Sequence, residues 1–256
     1  MQMQALYKLS NNWTSQTVLS RCNSKTNGYY SYLWDSANGD EFTRYISKRN
    51  GQTLATDIQQ NFIGDFKIGN LRNRMVIGID YYAQNMLNGS NNWVGAGTIS
   101  LVNQTDSGAA NLTQAGIDNL LAGTVEPNSD TESQVVSAYV SDVINITNKL
   151  SVMASLRVDE FRGKTSAYAA EEVKSQIAVS PKFGAVYQII ENKVSVFGNY
   201  MNGFKNIEPG QRADGPTNTV ATTFDPEQAN QYEFGLKTNL YKDIISASLS
   251  YYDINV

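Results

Sequence analysis

The stretch "YEFGLKTNLYKDIISASLSYYD", residues 232 to 253, alternates apolar and polar side chains with period two on both sides of a short polar turn. Tyr232, Phe234, Leu236 and Leu240 fall on one face, and Glu233, Gly235, Lys237 and Asn239 on the other. After Tyr241-Lys242-Asp243 the pattern resumes, with Ile245, Ala247, Leu249 and Tyr251 opposite Ser246, Ser248, Ser250 and Tyr252. Side chains of a strand point alternately to its two sides, so the pattern specifies a hairpin with two unlike faces. The same alternation recurs along the chain. Phe62, Phe66 and Ile68 oppose Asn61, Asp65 and Lys67; Met75, Ile77, Ile79 and Tyr81 oppose Arg74, Gly78, Asp80 and Tyr82. Leu150, Val152, Ala154, Leu156 and Val158 oppose Ser151, Ser155, Arg157 and Asp159.

About ten such strands follow one another, and their connections alternate between short and long. Short turns are expected at 10–13, 70–73, 148–149, 191–193 and 241–243. Longer connections are expected around "DSANGDEF", at about 84–132, 162–175 and 203–227. In an up-and-down sheet every second connection lies at the same end, so the tight turns collect at one end and the long loops at the other. That asymmetry, with an almost wholly apolar face and charges mid-strand on the opposite face, is the signature of a bacterial outer-membrane barrel. On this reading Asp65, Lys67, Asp80, Arg157, Asp159, Glu233 and Lys237 line a wet lumen. A soluble β-sandwich would also alternate, but it has no reason to segregate its loops by length.

Composition narrows the chemistry. The chain has 256 residues, no histidine and one cysteine, Cys22. Histidine-based triads and metal sites are therefore excluded, as are disulfide frameworks. No carboxylate pair suggests acid–base catalysis, so neither a catalytic nor a metal site is assigned and no enzyme activity is expected. The net charge of -4 argues against nucleic acid as a partner. No run of 18 apolar residues indicates a membrane-crossing helix, and "MQMQALYKLS" lacks the features of a signal peptide. "LTQAGIDNLLAG", 112 to 123, is expected to form a short helix capped by Thr113.

Four segments resemble, in order, the barrel of TonB-dependent siderophore receptors of the ferrichrome type. They carry Y-x-x-D (Tyr139 to Asp142), L-R-V-D (Leu156 to Asp159), S-P-K-F-G (Ser180 to Gly184), and P-E followed by Y-E-F-G-L-K (Pro226 to Lys237). The resemblance implies an all-β, transmembrane, antiparallel up-and-down barrel, with residues 1–256 forming a partial domain: about ten strands of a 22-stranded barrel. It also implies an N-terminal plug and further strands outside this segment. The implied function is active import of a ferric siderophore across the outer membrane of a Gram-negative bacterium. The partners would be the siderophore, outer-membrane lipid and, through the plug, the TonB complex. No cofactor is implied, since iron travels within the siderophore. Another imported ligand, cobalamin or a glycan, stays open, as does a small passive or structural ten-stranded barrel. Expected ligand contacts in the long loops are Trp93, Tyr168, Phe204 and Arg212. For each, packing or simple solvation is the competing reading.

Overall fold

The protein's structure, a computed structural model, describes residues 1–35, 39–90, 92–124, 128–165, 175–207, 210–215, 218–222, 224–241 and 244–256. Two compact units divide the chain: Met1–Arg21, Ala55–Gln84 and Glu132–Val256 form one, and Cys22–Leu54 with Asn85–Thr131 form the other.

The first unit holds most of a run of consecutive antiparallel strands. In chain order these are β1 (Gln2–Lys8), β2 (Trp13–Asp35), β3 (Glu41–Ile68) and β4 (Leu71–Ser90), then β7 (Asn128–Asn145), β8 (Leu150–Thr165), β9 (Gln176–Ile190), β10 (Val194–Lys205), β13 (Glu227–Leu240) and β14 (Ile245–Asn255). Their spatial order is the same as their chain order. β11 (Gly210–Ala213) and β12 (Thr219–Thr222) form a separate hairpin between β10 and β13. The tight turns use the residues the geometry requires. Gly69 (φ +59°) and Asn192 (φ +58°) take the left-handed conformation, which glycine and asparagine tolerate best. The turn expected at 70–73 is tighter than that, closing at Gly69-Asn70 with Leu71 already in β4.

Register confirms the two faces. Leu236 lies between Val196 and Leu249, and Phe234 between Gly198 and Tyr251. On the other side Glu233 lies between Asn199 and Tyr252, and Lys237 between Ser195 and Ser248. The apolar face is left uncovered: Phe234 is 60% exposed, Ile79 62% and Leu249 75%. Apolar surface of that extent would drive aggregation in water and is stable against lipid tails. Aromatic rings run in register along it, Phe183 to Tyr200 to Tyr232, with centroids 6.5 and 5.0 Å apart.

The second unit gathers the far ends of β2, β3 and β4 with the connection that follows. The excursion expected as one long loop over 84–132 is partly regular. β4 runs on to Ser90, and β5 (Val94–Ser100) and β6 (Thr105–Asp106) come next. A single 3-10 turn (Ala109–Asn111) then leads into α1 (Gln114–Leu121). β5 pairs with β3 and β6 with β5. Thr113 caps α1 as expected, its hydroxyl accepting from the Gly116 N–H at 3.1 Å. The helix buries Leu121 against Ile46 and Ala96, with Val94, Ile117 and Leu120 around them. At 28 residues β3 is far longer than the roughly 9–11 that a tilted strand needs to cross a bilayer.

Candidate functional site

Two groups of side chains stand out, one in each unit. In the wall, β3, β4, β7 and β8 bring a polar network to one face. The Arg157 Nε donates to both Asp159 oxygens, at 2.9 and 3.1 Å. Its Nη2 reaches Asp80 at 3.2 Å and Ser137 at 2.8 Å. Ser137 in turn donates to Asp159 at 2.6 Å. The guanidinium lies 5.3 Å from the Tyr139 ring centre, and the Tyr139 hydroxyl donates to Asn61 and accepts from Gln59. Asp159 is only 2% exposed. A buried carboxylate is tolerated only when paired and hydrogen-bonded, and the forked guanidinium supplies both requirements at once.

Of the lumen residues expected from sequence, Asp80, Arg157 and Asp159 are thus brought together. Glu233 and Lys237 share that polar face but form a second patch: Glu233 accepts from Asn199 at 3.0 Å, and the Lys237 ammonium lies 5.1 Å from the Phe197 ring centre. Asp65 and Lys67 have the strand parity of Asn61, which places them on the same, polar face. Asp65 pairs with Arg72 at 2.5 Å. Between the second patch and β7–β9 lies a concavity of about 580 Å³, lined by Met153, Gly184, Phe197, Asn199, Glu233 and Lys237 among others.

In the other unit an aromatic cluster surrounds one cation. Trp93 packs edge-on against Tyr30 and Tyr32, with centroids 5.5 and 4.5 Å apart. Tyr32 stacks on Tyr45 at 5.5 Å. The Arg49 guanidinium lies 5.7 Å from the Tyr30 ring centre and 5.4 Å from that of Trp93. Among the described residues no carboxylate pairs with Arg49. Arg44 and Lys48 of the same β3 segment meet aspartates of the excursion. Arg44 makes two hydrogen bonds to Asp106, at 3.0 and 2.6 Å, and Asp118 of α1 accepts from Tyr29 at 2.8 Å with Lys48 at 3.8 Å. The Arg44 guanidinium, helped by the Gly108 N–H, holds the Asp106 carboxyl below the usual carboxylate range.

The four expected ligand contacts fare differently. Trp93 is a member of the cluster and is 37% exposed. Arg212 is exposed in β11, cross-strand from Val220. Tyr168 lies outside the described residues. Phe204 requires a correction: it is in β10, not in a loop, opposite Gln228. Its parity is that of Tyr200 and Tyr232, so it belongs to the apolar face, because pairing with β13 carries the strand past Gly203. Sequence reading missed Arg49, Tyr30, Tyr32 and Tyr45. The alternation of Tyr30, Tyr32 and Trp34 marks one face of a strand, but nothing local shows that Trp93 comes to meet it.

Comparison with known proteins places this geometry. Residues 2–256 match the family described as TonB dependent receptor-like, beta-barrel. No curated protein matches the sequence closely enough to count as a relative. Among solved structures the chain is similar to Fiu, the ferric-catecholate import receptor of E. coli K12, with a TM-score of 0.77 and 16% identity, over 99% of this chain and 40% of that one. It is similar to BauA, the ferric preacinetobactin receptor of Acinetobacter baumannii, with a TM-score of 0.75 and 14% identity, over 99% and 36%. It is also similar to the pyoverdine outer-membrane receptor FpvA of Pseudomonas aeruginosa PAO1, with a TM-score of 0.74 and 15% identity, over 99% and 35%. The chain therefore spans well under half the length of these structures.

Proposed function

This chain belongs to the β-barrel family of TonB-dependent receptors, and from that premise we propose that it is part of the wall of an importer for a ferric siderophore. Its place is the outer membrane of a Gram-negative bacterium. The apolar face meets lipid, and the polar face, with its Arg157 network, lines the passage. The observation that carries the reading is that the receptors for iron chelates named above share this wall over almost the whole of the chain. The role is that of a receptor and carrier rather than an enzyme: the ligand's own oxygens hold the iron, and the protein recognises the complex as a whole. Energy for transport would come from the TonB complex, acting through a plug beyond this segment.

Uptake of radiolabelled iron tests the reading. Iron-starved cells whose other siderophore receptors are deleted, and which express the whole receptor from its coding sequence, are expected to accumulate iron from at least one ferric siderophore. That uptake is expected to stop when TonB is deleted or the proton gradient is collapsed. Uptake of cobalamin or a glycan instead, with none of iron across a siderophore panel, would overturn the reading.

A further inference from the structure

From the environment of Arg49 we infer that the cluster of Tyr30, Tyr32, Trp93 and Arg49 is a binding site for an aromatic, anionic group, so that the imported complex is an aryl chelate of the catecholate kind. This rests on the import reading above and narrows it to a ligand class. The guanidinium is held against two ring faces, at 5.7 and 5.4 Å, which limits its motion before any ligand arrives. Its neighbours Arg44 and Lys48 are both engaged with aspartates, whereas among the described residues no carboxylate answers Arg49. A cation so positioned and uncompensated is arranged for an anion from outside.

The rings specify the rest of the ligand. Tyr30 is 53% exposed and Trp93 37%, so both present free surface for stacking. Beside Arg49 lies a cleft of about 250 Å³ lined by Ser24, Thr26, Gly51, Gln52 and Met86 among others. That is small against the roughly 300–1,000 Å³ of sites that enclose whole drug-sized ligands. Of the cluster only Arg49 lines it, so it suits the anionic end of one arm of a larger ligand, with the arm's planar part lying over the rings outside the cleft. A glycan would use the rings but gain little from the cation. A neutral hydroxamate complex, with aliphatic arms and no net charge, would use neither fully.

The test uses the whole receptor purified in detergent and two gallium(III) complexes as diamagnetic stand-ins for iron. One is with 2,3-dihydroxybenzoate, anionic and aromatic; the other is with a tris-hydroxamate, neutral and aliphatic. Dissociation constants are measured for the parent protein and for Arg49→Gln, Arg49→Lys and Trp93→Leu, each first checked for heat-modifiable migration as a sign of a folded barrel. Arg49→Gln is expected to weaken the dihydroxybenzoate complex about tenfold and leave the hydroxamate complex unchanged. Arg49→Lys, which keeps the charge but loses the planar fork, is expected to fall between, and Trp93→Leu to weaken the aryl complex with the charge intact. If the variants bind the aryl complex as the parent does, or if only the hydroxamate complex binds, the site assignment is overturned while iron import stands. If neither metal complex binds but metal-free 2,3-dihydroxybenzoate binds and is weakened by Arg49→Gln, the aryl-anion site is upheld and its assignment to a metal chelate is overturned, the import reading being judged by the uptake experiment.

Discussion

The ring of Tyr139 lies across Gly78, so close that a β-carbon added to Gly78 would overlap the ring and the Asn61 side-chain oxygen. The glycine makes room for the ring, and the ring covers the backbone the glycine leaves bare. Its hydroxyl is thereby delivered to Asn61 and Gln59, and its face to Arg157. Gly235 stands in the same relation to Phe197, whose ring also receives Lys237. In both patches a strand glycine positions the aromatic ring on which a cation of the wall rests.

Substituting Gly78 by Ala is therefore expected to destabilise the folded barrel by about 1–3 kcal/mol, the usual cost of forcing extra volume into a packed site. Denaturant unfolding of the receptor in detergent would read it. Because the clash is with Tyr139, the double variant with Tyr139→Ala is expected to lose less than the sum of the two single changes. Strict additivity would show that the ring does not depend on the glycine.

Removing the cation of the network should cost more than removing a surface charge. Arg157→Met leaves Asp159, buried in the wall, without its guanidinium, and breaking a buried pair in this way typically costs 3–5 kcal/mol. The Arg157 side chain is itself 35% exposed, so solvent screens part of the loss and a value of about 3 kcal/mol is expected. Arg157→Lys should recover only part of it, since an ammonium cannot bond Asp159 and Asp80 with the same fork. Equal stability of parent and Arg157→Met would contradict the geometry described for β8.

The excursion carrying α1 should loosen in acid. Asp106 titrates below an ordinary carboxylate because Arg44 holds its charged form. Its contribution is thus fully present above the unfolded-state pKa of about 3.9 and is lost as the pH falls through the lower, folded value. Amide exchange over residues 114–121, corrected for intrinsic rates, is expected to be protected at pH 6 and to accelerate near pH 3. Arg44→Ala should remove most of that difference and expose the helix at both values.

Much of this architecture was legible in the sequence because strand alternation is local. Phe234 against Glu233, and Leu156 against Arg157, declare their faces without reference to any other part of the chain. The helix after Thr113 was legible for the same reason, through its cap and apolar spacing. What depended on distant pairing was not. "MNGFKN" carries the asparagine and glycine of a turn, yet β10 continues through it because β13 pairs with it as far as Lys205. "KRNG" around Arg49 also looks like a turn, but it lies inside the longest strand. The meeting of Arg49 with Tyr30 and Trp93 depends on where three segments end up, and no periodicity records that.

Charge placed on the two faces should have unequal effects. Leu236→Arg puts a cation on the apolar face and is expected to cost about 2–4 kcal/mol of barrel stability in a bilayer, diminishing toward the interfaces. Ser195→Arg, opposite Lys237 on the inner face, is expected to cost far less. Outer-membrane yield and urea unfolding in lipid vesicles would measure both.

The most direct test of a wall with one lipid face and one wet face is single-cysteine labelling along β13 in native outer membranes, with Cys22 first changed to Ser. Cysteines at 231, 233 and 237 are expected to react with a water-soluble maleimide. Those at 234 and 236 should stay unreacted with it and react instead with a membrane-soluble maleimide. Uniform labelling of all five positions, or labelling with the opposite parity, would contradict the account.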